Sequence, residues 1–163
     1  MSIIDKFWAW YERHYHFHLR LSVFLFSWQI LHLIWLTVYI VFPRLFGTTP
    51  PPLPDWASFL LVIVDYTEIP ALISTSLLYI NDLRKGFKAK AFWYLIFLNS
   101  QWLHLFWITD EVVAEMLIDQ TLIGMPIWLA WIAIFIDYLE TPVMYDTTKR
   151  WLKSRRLEEF GEK

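Results

Sequence analysis

Residues 29–37 read QILHLIWLT, and residues 101–109 read QWLHLFWIT. The same offset of 72 residues relates DYTEIP at residues 65–70 to DYLETP at residues 137–142. Both pairs of motifs place His, Gln, Asp, Glu and Pro inside otherwise apolar sequence. Because such residues are rare in apolar helices, their repetition indicates an internal duplication.

The match extends without a gap over two longer parts of the chain. We call residues 29–84 the first segment and residues 101–156 the second segment. About 17 of roughly 56 aligned positions are identical, where chance would give about five. If each copy crosses a membrane twice, both copies begin on the same side of it. The copies are therefore parallel in topology.

The composition indicates a membrane protein. Of the 163 residues, 57% are hydrophobic and 20% are aromatic, more than a soluble chain of this size can bury. Four apolar stretches, each of roughly 20 residues, are long enough to cross a ~30 Å hydrocarbon layer as helices. These stretches are residues 21–42, 56–80, 91–109 and 126–148. The sequence therefore predicts an all-α, integral membrane four-helix bundle of two tandem two-helix repeats.

The predicted organisation has four parts. Residues 1–20 form an interfacial amphipathic N-terminal segment, because apolar and charged residues alternate there at helical spacing. Residues 21–85 form repeat 1 and residues 91–157 form repeat 2. Residues 158–163 form a charged cytoplasmic tail.

Lys and Arg predict the orientation. They concentrate in the N-terminal segment, the middle connection and the tail, whereas the other two connections hold only Arg44. By the positive-inside rule both termini face the cytoplasm, of a bacterial or archaeal plasma membrane. The second outer loop, residues 110–125, is acidic. It forms either a solvated face or a region that attracts cations. Its acidic residues are Asp110, Glu111, Glu115 and Asp119.

Six ionisable residues fall inside the predicted spans near the bilayer midplane. Facing lipid would cost each about 2–3 kcal/mol or more. Since Asp65 and Glu68 share one helix face, as do Asp137 and Glu140, we expect all six to converge on the bundle axis. The six are His32, Asp65, Glu68, His104, Asp137 and Glu140.

Four carboxylates in a low dielectric need compensating positive charge or protons. Two divalent cations would balance them, and carboxylate with imidazole suits Fe, Mn or Zn. Two His and four carboxylates match the ligand count of soluble di-iron bundles, although here His and carboxylate lie on different helices. Side chains expected to support the ligands by hydrogen bonds are Gln29, Gln101, Tyr66 and Tyr138.

Other functions use the same residues. Protonated carboxyls beside His would form a proton or divalent-cation path, in a transporter or channel. A hydrogen-bonded polar cluster would serve a structural accessory subunit. A haem between His32 and His104 is less favoured, because Leu flanks both residues and every Gly lies outside the spans. The sequence leaves open whether the protein is an enzyme. If it is an enzyme, we expect an oxidoreductase that acts on a lipophilic substrate, such as a quinol or a lipid.

Some functions are excluded or unsupported. The chain has no Cys, which removes disulfides and thiolate metal sites. A net charge of −2 and the absence of nucleic-acid motifs argue against nucleic acid as a partner. The expected partners are the lipid bilayer and either further copies of the chain or a larger membrane complex. Pro70 and Pro142 should kink the second helix of each repeat just after the site.

Overall fold

The structure is a computed structural model. It describes residues 2–114, 118, 120–124 and 126–161, without the side chains of residues 55, 111, 112 and 158–161. Helix makes up 84% of the chain, and no strand occurs in the described residues. The predicted all-α class is therefore confirmed.

Eight α-helices and two π-helices follow one another in the described residues. They are α1 (Ile3–Arg13), α2 (Tyr15–Trp35), π1 (Leu36–Val41), α3 (Phe42–Phe46), α4 (Asp55–Tyr66), α5 (Glu68–Arg84), α6 (Ala89–Ile108), π2 (Thr109–Ala114), α7 (Ile127–Tyr138) and α8 (Thr141–Gly161). Residues 15–20 of the predicted N-terminal segment thus belong to α2.

Helix α1 begins at a capping box. The Ser2 backbone N–H donates to the Asp5 carboxylate at 2.8 Å, and the Asp5 N–H donates to Ser2 Oγ at 3.2 Å. The hydrogen bond from the Ser2 backbone lowers the pKa of Asp5. At the far side of α1, the Arg84 guanidinium lies 4.3 Å from the centre of the Trp8 ring. This contact holds α1 against the C-terminal end of α5.

Among the described residues, three helical stretches are long and apolar enough to cross a membrane. They are Tyr15–Phe46, Trp56–Arg84 and Ile127–Leu157. The span expected at residues 91–109 corresponds to α6, which is not one of the three. Helix α6 carries a polar run, residues 99–101, and His104 in its central part.

The helices surround two apolar clusters. Helix α2 packs against α4, α5 and α8, while α6 packs against α5, α7 and α8. Phe26 on α2 belongs to the first cluster, and Leu36, directly after α2, belongs to the second. His32 lies between these two residues along the chain. Trp107 and Ile134 also belong to the second cluster. The ionisable residues therefore lie between two packed apolar layers.

The second helix of each segment is interrupted just before its proline. The α-helical pattern stops at Thr67 and at residues 139–140, three residues or fewer before Pro70 and Pro142. The Thr67 N–H donates to the Val64 carbonyl at 3.0 Å, and the Leu139 N–H donates to the Ile136 carbonyl at 2.9 Å. Each tight turn begins three residues before its proline, which has no N–H to donate to the carbonyl four residues earlier. The kinks themselves stay predictions.

Candidate metal centre

The six ionisable residues come from every long helix of the two segments. All are at most 1% exposed. His32 lies on α2, Asp65 in α4, Glu68 at the start of α5, His104 on α6, Asp137 in α7 and Glu140 in the turn before α8. The turn at each proline thus places one glutamate close to the aspartate that precedes it.

Asp137 connects the two histidines. Its Oδ2 lies 3.2 Å from His32 Nε2, and its Oδ1 lies 3.8 Å from His104 Nε2. The two imidazole rings meet edge to face, with centroids 5.2 Å apart. His32 also donates a hydrogen bond from Nδ1 to Asp65 Oδ1. These contacts join four of the six residues.

Asp137 also connects the histidines to the two glutamates. Glu68, Asp137 and Glu140 each offer an oxygen within 4.8 Å of the others, and His32, His104 and Asp137 form a second group with the same spacing. The structure therefore brings all six predicted site residues into one connected cluster. Asp137 is the member shared by both groups.

Every one of the six residues keeps a buried polar atom without a hydrogen-bond partner. These atoms are His32 Nε2, Asp65 Oδ2, Glu68 Oε1, His104 Nε2, Asp137 Oδ2 and Glu140 Oε1. His32 Nε2 and Asp137 Oδ2 are close but lack hydrogen-bond geometry. Because a buried unpaired polar group costs about 1–3 kcal/mol, and more when charged, six in one place call for a further partner.

The two glutamines occupy equivalent places next to the cluster. Gln29 Nε2 donates to the Val64 carbonyl at 3.2 Å, and Gln101 Nε2 donates to the Ile136 carbonyl at 3.0 Å. Gln101 also reaches the backbone carbonyl of Asp137 at 3.3 Å. The glutamines therefore hold the aspartate-bearing helices α4 and α7 in place through their backbones.

The two tyrosines link the segments to each other. Thr37 Oγ1 and the Tyr138 hydroxyl are 2.7 Å apart, and the Tyr66 hydroxyl and Thr109 Oγ1 are 2.9 Å apart. Each threonine also donates to a carbonyl four residues earlier in its helix. In each pair the threonine of one segment contacts the tyrosine of the other, as equivalent residues do across a two-fold axis. These hydrogen bonds go to threonines, not to the six clustered residues.

The surroundings of the two histidines differ. His104 Nδ1 donates to the Ala133 carbonyl at 3.2 Å, whereas His32 Nδ1 donates to a carboxylate. Their tryptophan neighbours match closely, since Trp35 and Trp107 each lie 5.6 Å from the adjacent imidazole, centroid to centroid. The cluster is thus two-fold in its outline and asymmetric in its hydrogen bonds.

Sequence reasoning missed a second polar cluster, which lies beyond the kinks. Asp146 Oδ2 accepts hydrogen bonds from the Tyr79 hydroxyl at 3.0 Å and from Arg150 Nε at 2.8 Å, and Lys90 Nζ contacts Oδ1. Arg150 Nη1 also lies 2.7 Å from Asp82 Oδ2. The sequence feature that could have predicted this cluster is the i,i+4 spacing of Asp146 and Arg150. Asp146 pairs with both Lys90 and Arg150, so this cluster acts as a structural clamp between helices.

The second outer loop is fastened to π2, the helical turn that follows α6. Asp110 Oδ1 accepts from the Ile123 N–H at 2.8 Å, and Oδ2 accepts from the Gly124 N–H at 3.1 Å. Asp110 is 1% exposed and is therefore not part of a solvated acidic face. The other acidic residues of this loop lie outside the described residues or side chains, namely Glu111, Glu115 and Asp119.

Comparison with known proteins adds no relative to this description. No family model, curated protein or solved structure matches the chain. Its function has to be argued from the chemistry of its own residues.

Proposed function

We propose that the chain is an integral membrane protein, a four-helix bundle of two tandem hairpins, that binds transition-metal ions in its centre. The membrane part rests on the three long apolar stretches and on α6, which packs between them. Many large apolar side chains also face outward, among them Phe24, Phe59 and Phe135, each at least 59% exposed. Such a surface is stable in lipid and a liability in water.

The observation that carries the metal proposal is the set of unpartnered atoms. Six buried residues of one cluster each keep a nitrogen or oxygen atom without a hydrogen bond. All six atoms have lone pairs that a cation can accept. In a structural polar cluster the carboxylates would instead be paired, as Asp146 is with Tyr79, Lys90 and Arg150.

The spacing of the donor atoms suits metal ions. Ligands on opposite sides of an ion that binds at about 2.1 Å lie about 4.2 Å apart. Both groups keep their donors within 4.8 Å of one another, so small side-chain movements would complete a site. His32, His104 and Asp137 would hold one ion, and Glu68, Asp137 and Glu140 would hold a second. Asp65 would orient His32 by its hydrogen bond.

The donor set favours Fe, Mn or Zn. Mixed imidazole and carboxylate ligands give an ion that can act as a Lewis acid or, for Fe and Mn, exchange electrons. A haem finds less support, since the histidine rings are 5.2 Å apart and both contact Asp137. That arrangement leaves no gap for a porphyrin plane.

A second candidate function is proton or cation transport. The observation that favours it is the chain of contacts from Asp65 through His32 to Asp137. In this alternative a protonated His32 lies between the two carboxylates and passes protons from one to the other. Uptake into proteoliposomes, with His32→Leu as the inactive variant, tests this alternative.

Elemental analysis of detergent-purified protein tests the metal proposal. We expect about one or two equivalents of Fe, Mn or Zn per chain, lost in the double variant His32→Ala/Glu140→Ala. The matched control is His14→Ala/Glu12→Ala, which removes the same two residue types from the exposed end of α1 and should keep the metal. Metal in neither the wild type nor the metal-soaked protein would overturn the proposal. Equal metal in all three proteins would place the metal elsewhere.

A further inference from the structure

The first segment has a cavity that leads from its outer loop to the cluster. It has a volume of about 400 Å³ and is bordered by Trp35, Tyr39, the Pro50–Pro52 run, Ser58 and Asp65. Asp65 is the one clustered residue on its wall, and Asp65 Oδ2 has no hydrogen-bond partner. We call this space the head cavity.

A second, apolar cavity adjoins the head cavity. It has a volume of about 640 Å³ and runs between α2 and α4, bordered by Trp28, Leu31, Trp56, Ala57 and Leu60. Trp35, Tyr39, Leu53 and Leu61 border both cavities. We call this second space the tail groove. Trp28, Leu31 and Leu60 are 43–51% exposed, so the groove opens on the apolar outer surface of the helices.

We infer that these two spaces bind a quinol, with its aromatic head in the head cavity and its hydrocarbon tail in the groove. This inference deepens the proposed function and rests on it, because it supplies the substrate class for the same centre. Each volume falls within the range of roughly 300–1,000 Å³ that small-molecule sites occupy. A lipophilic molecule in the bilayer would reach the groove without crossing water.

The walls of the head cavity match the parts of a quinol head. Trp35 and Tyr39 present aromatic faces, on which a planar ring stacks with a gain of about 0.5–1.5 kcal/mol per pair. The unpartnered Asp65 Oδ2 accepts a hydrogen bond, and a quinol hydroxyl donates one. Ser58 provides a second hydroxyl on the same wall.

The charge of the walls argues against a phospholipid. No Lys or Arg borders either cavity in the described part of the chain. A phosphate head would have no cationic partner and would meet the carboxylate of Asp65. A neutral hydroxylated head carries no such penalty.

The equivalent place in the second segment is filled. Ala130 and Ala133 occupy the positions of Ser58 and Leu61, and they are 1% and 0% exposed. Trp107, the counterpart of Trp35, is 1% exposed. The small alanines let α7 approach α6 closely, whereas Leu61 keeps α4 at a distance from α2. The quinol site therefore belongs to one segment only.

Calorimetric titration with decyl-benzoquinol under nitrogen tests the inference, with decylbenzene as the probe that lacks hydroxyls. Both are added to metal-loaded and to metal-free protein in detergent. We expect saturable binding of the quinol to metal-loaded protein, at least tenfold tighter than that of decylbenzene. Equal affinity for both probes would mean a groove for any apolar chain and would overturn the inference, as would no binding at all.

Two sets of variants locate the site. Ala57→Trp/Leu60→Trp fills the tail groove, and Leu129→Trp/Ile132→Trp makes the same changes at equivalent positions of the second segment. We expect at least tenfold weaker quinol binding in the first variant and an unchanged affinity in the second. Equal effects in both would overturn the assignment to the first segment. Val62→Phe, which narrows only the head cavity, should remove the preference for quinol over decylbenzene.

Metal content, measured on the same samples, separates the two proposals. None of the substituted residues belongs to the six-residue cluster, so every variant should keep its ions. Quinol binding by a protein that neither carries metal as purified nor takes it up on soaking would contradict the metal centre alone. A loaded metal centre without quinol binding would contradict the present inference alone.

Discussion

The first and second segments share their skeleton and differ in their access to the centre. Both contain a His–Trp contact of 5.6 Å, a glutamine bound to the backbone of the aspartate-bearing helix, a π-helix and a turn before proline. The head cavity and the tail groove described above lie in the first segment. Duplication therefore accounts for the clustered ionisable residues, while divergence of small residues around them accounts for the two cavities.

The difference begins with side-chain volume. Alanines at positions 130 and 133 are buried in the second apolar cluster, whereas Ser58 and Leu61 line the cavities. It is reinforced at the outer loops, because Asp110 fastens the second loop and Val38, at the equivalent position, has no acceptor to fasten the first. A difference of few atoms thus separates a closed segment from an open one.

The largest expected effect concerns the two aspartates. Asp137 contacts both histidines and belongs to both groups of donors, whereas Asp65 contacts only His32. We expect Asp137→Asn to release all bound metal. Asp65→Asn should weaken metal affinity by about 10- to 100-fold, as for other carboxylates that orient a ligating histidine. Metal titration of both variants checks this, and equal losses would contradict the asymmetry of the cluster.

The second prediction concerns packing. Ala133→Leu inserts a side chain into a filled interface and should lower the free energy of unfolding by about 1–3 kcal/mol. The reciprocal change Leu61→Ala removes a half-buried side chain beside a cavity and should cost less, below about 2 kcal/mol. Denaturation in detergent, followed by circular dichroism, measures both. If Leu61→Ala were the more damaging change, the first segment would be the more tightly packed one.

The third prediction concerns the loop of the second segment. Asp110→Ala removes two hydrogen bonds to a charged acceptor, each worth about 1.5–3 kcal/mol locally. Amide exchange at Ile123 and Gly124 should accelerate, by about tenfold or more at this cost. Val38→Ala, at the matching position, should leave exchange in residues 48–54 unchanged. Unchanged exchange in Asp110→Ala would show that something else fastens the loop.

The smallest expected effect is the stability cost of losing one threonine–tyrosine hydrogen bond, which should be equal in the two segments. Thr37→Val and Thr109→Val each remove one of the two matched hydrogen bonds to tyrosine, and each should cost about 0.5–1 kcal/mol. Double-mutant cycles with Tyr138→Phe and Tyr66→Phe isolate the two interaction energies. They should agree within about 0.5 kcal/mol. A clear inequality would mean that the two-fold relation does not extend to this interface.

Part of this molecule was predictable from its sequence, since the relevant patterns are local. Helical spacing put Asp65 beside Glu68 and Asp137 beside Glu140, and the cost of polar groups in lipid directed them inward. The proline turns followed equally from the missing backbone donor. These rules need only one helix at a time.

The asymmetry of the cluster was not predictable. Nothing in the repeated motifs distinguishes Asp65 from Asp137, because their different contacts depend on how closely α4 and α7 approach their neighbours. The π-helices were missed for a similar reason, since extra residues in a helical turn give no periodic signal over six residues. The cavities depend on single alanines and serines whose effect appears only across a helix interface.

The paired contacts between Thr37 and Tyr138 and between Tyr66 and Thr109 have a consequence for the origin of the protein. Surfaces related in this way are self-complementary, so a single hairpin bearing one threonine and one tyrosine could have joined a second copy of itself. Such an ancestral homodimer would have had two identical openings toward the lipid. Fusion of two such copies into one gene would let each half accept its own mutations, so that one opening could close while the other remained.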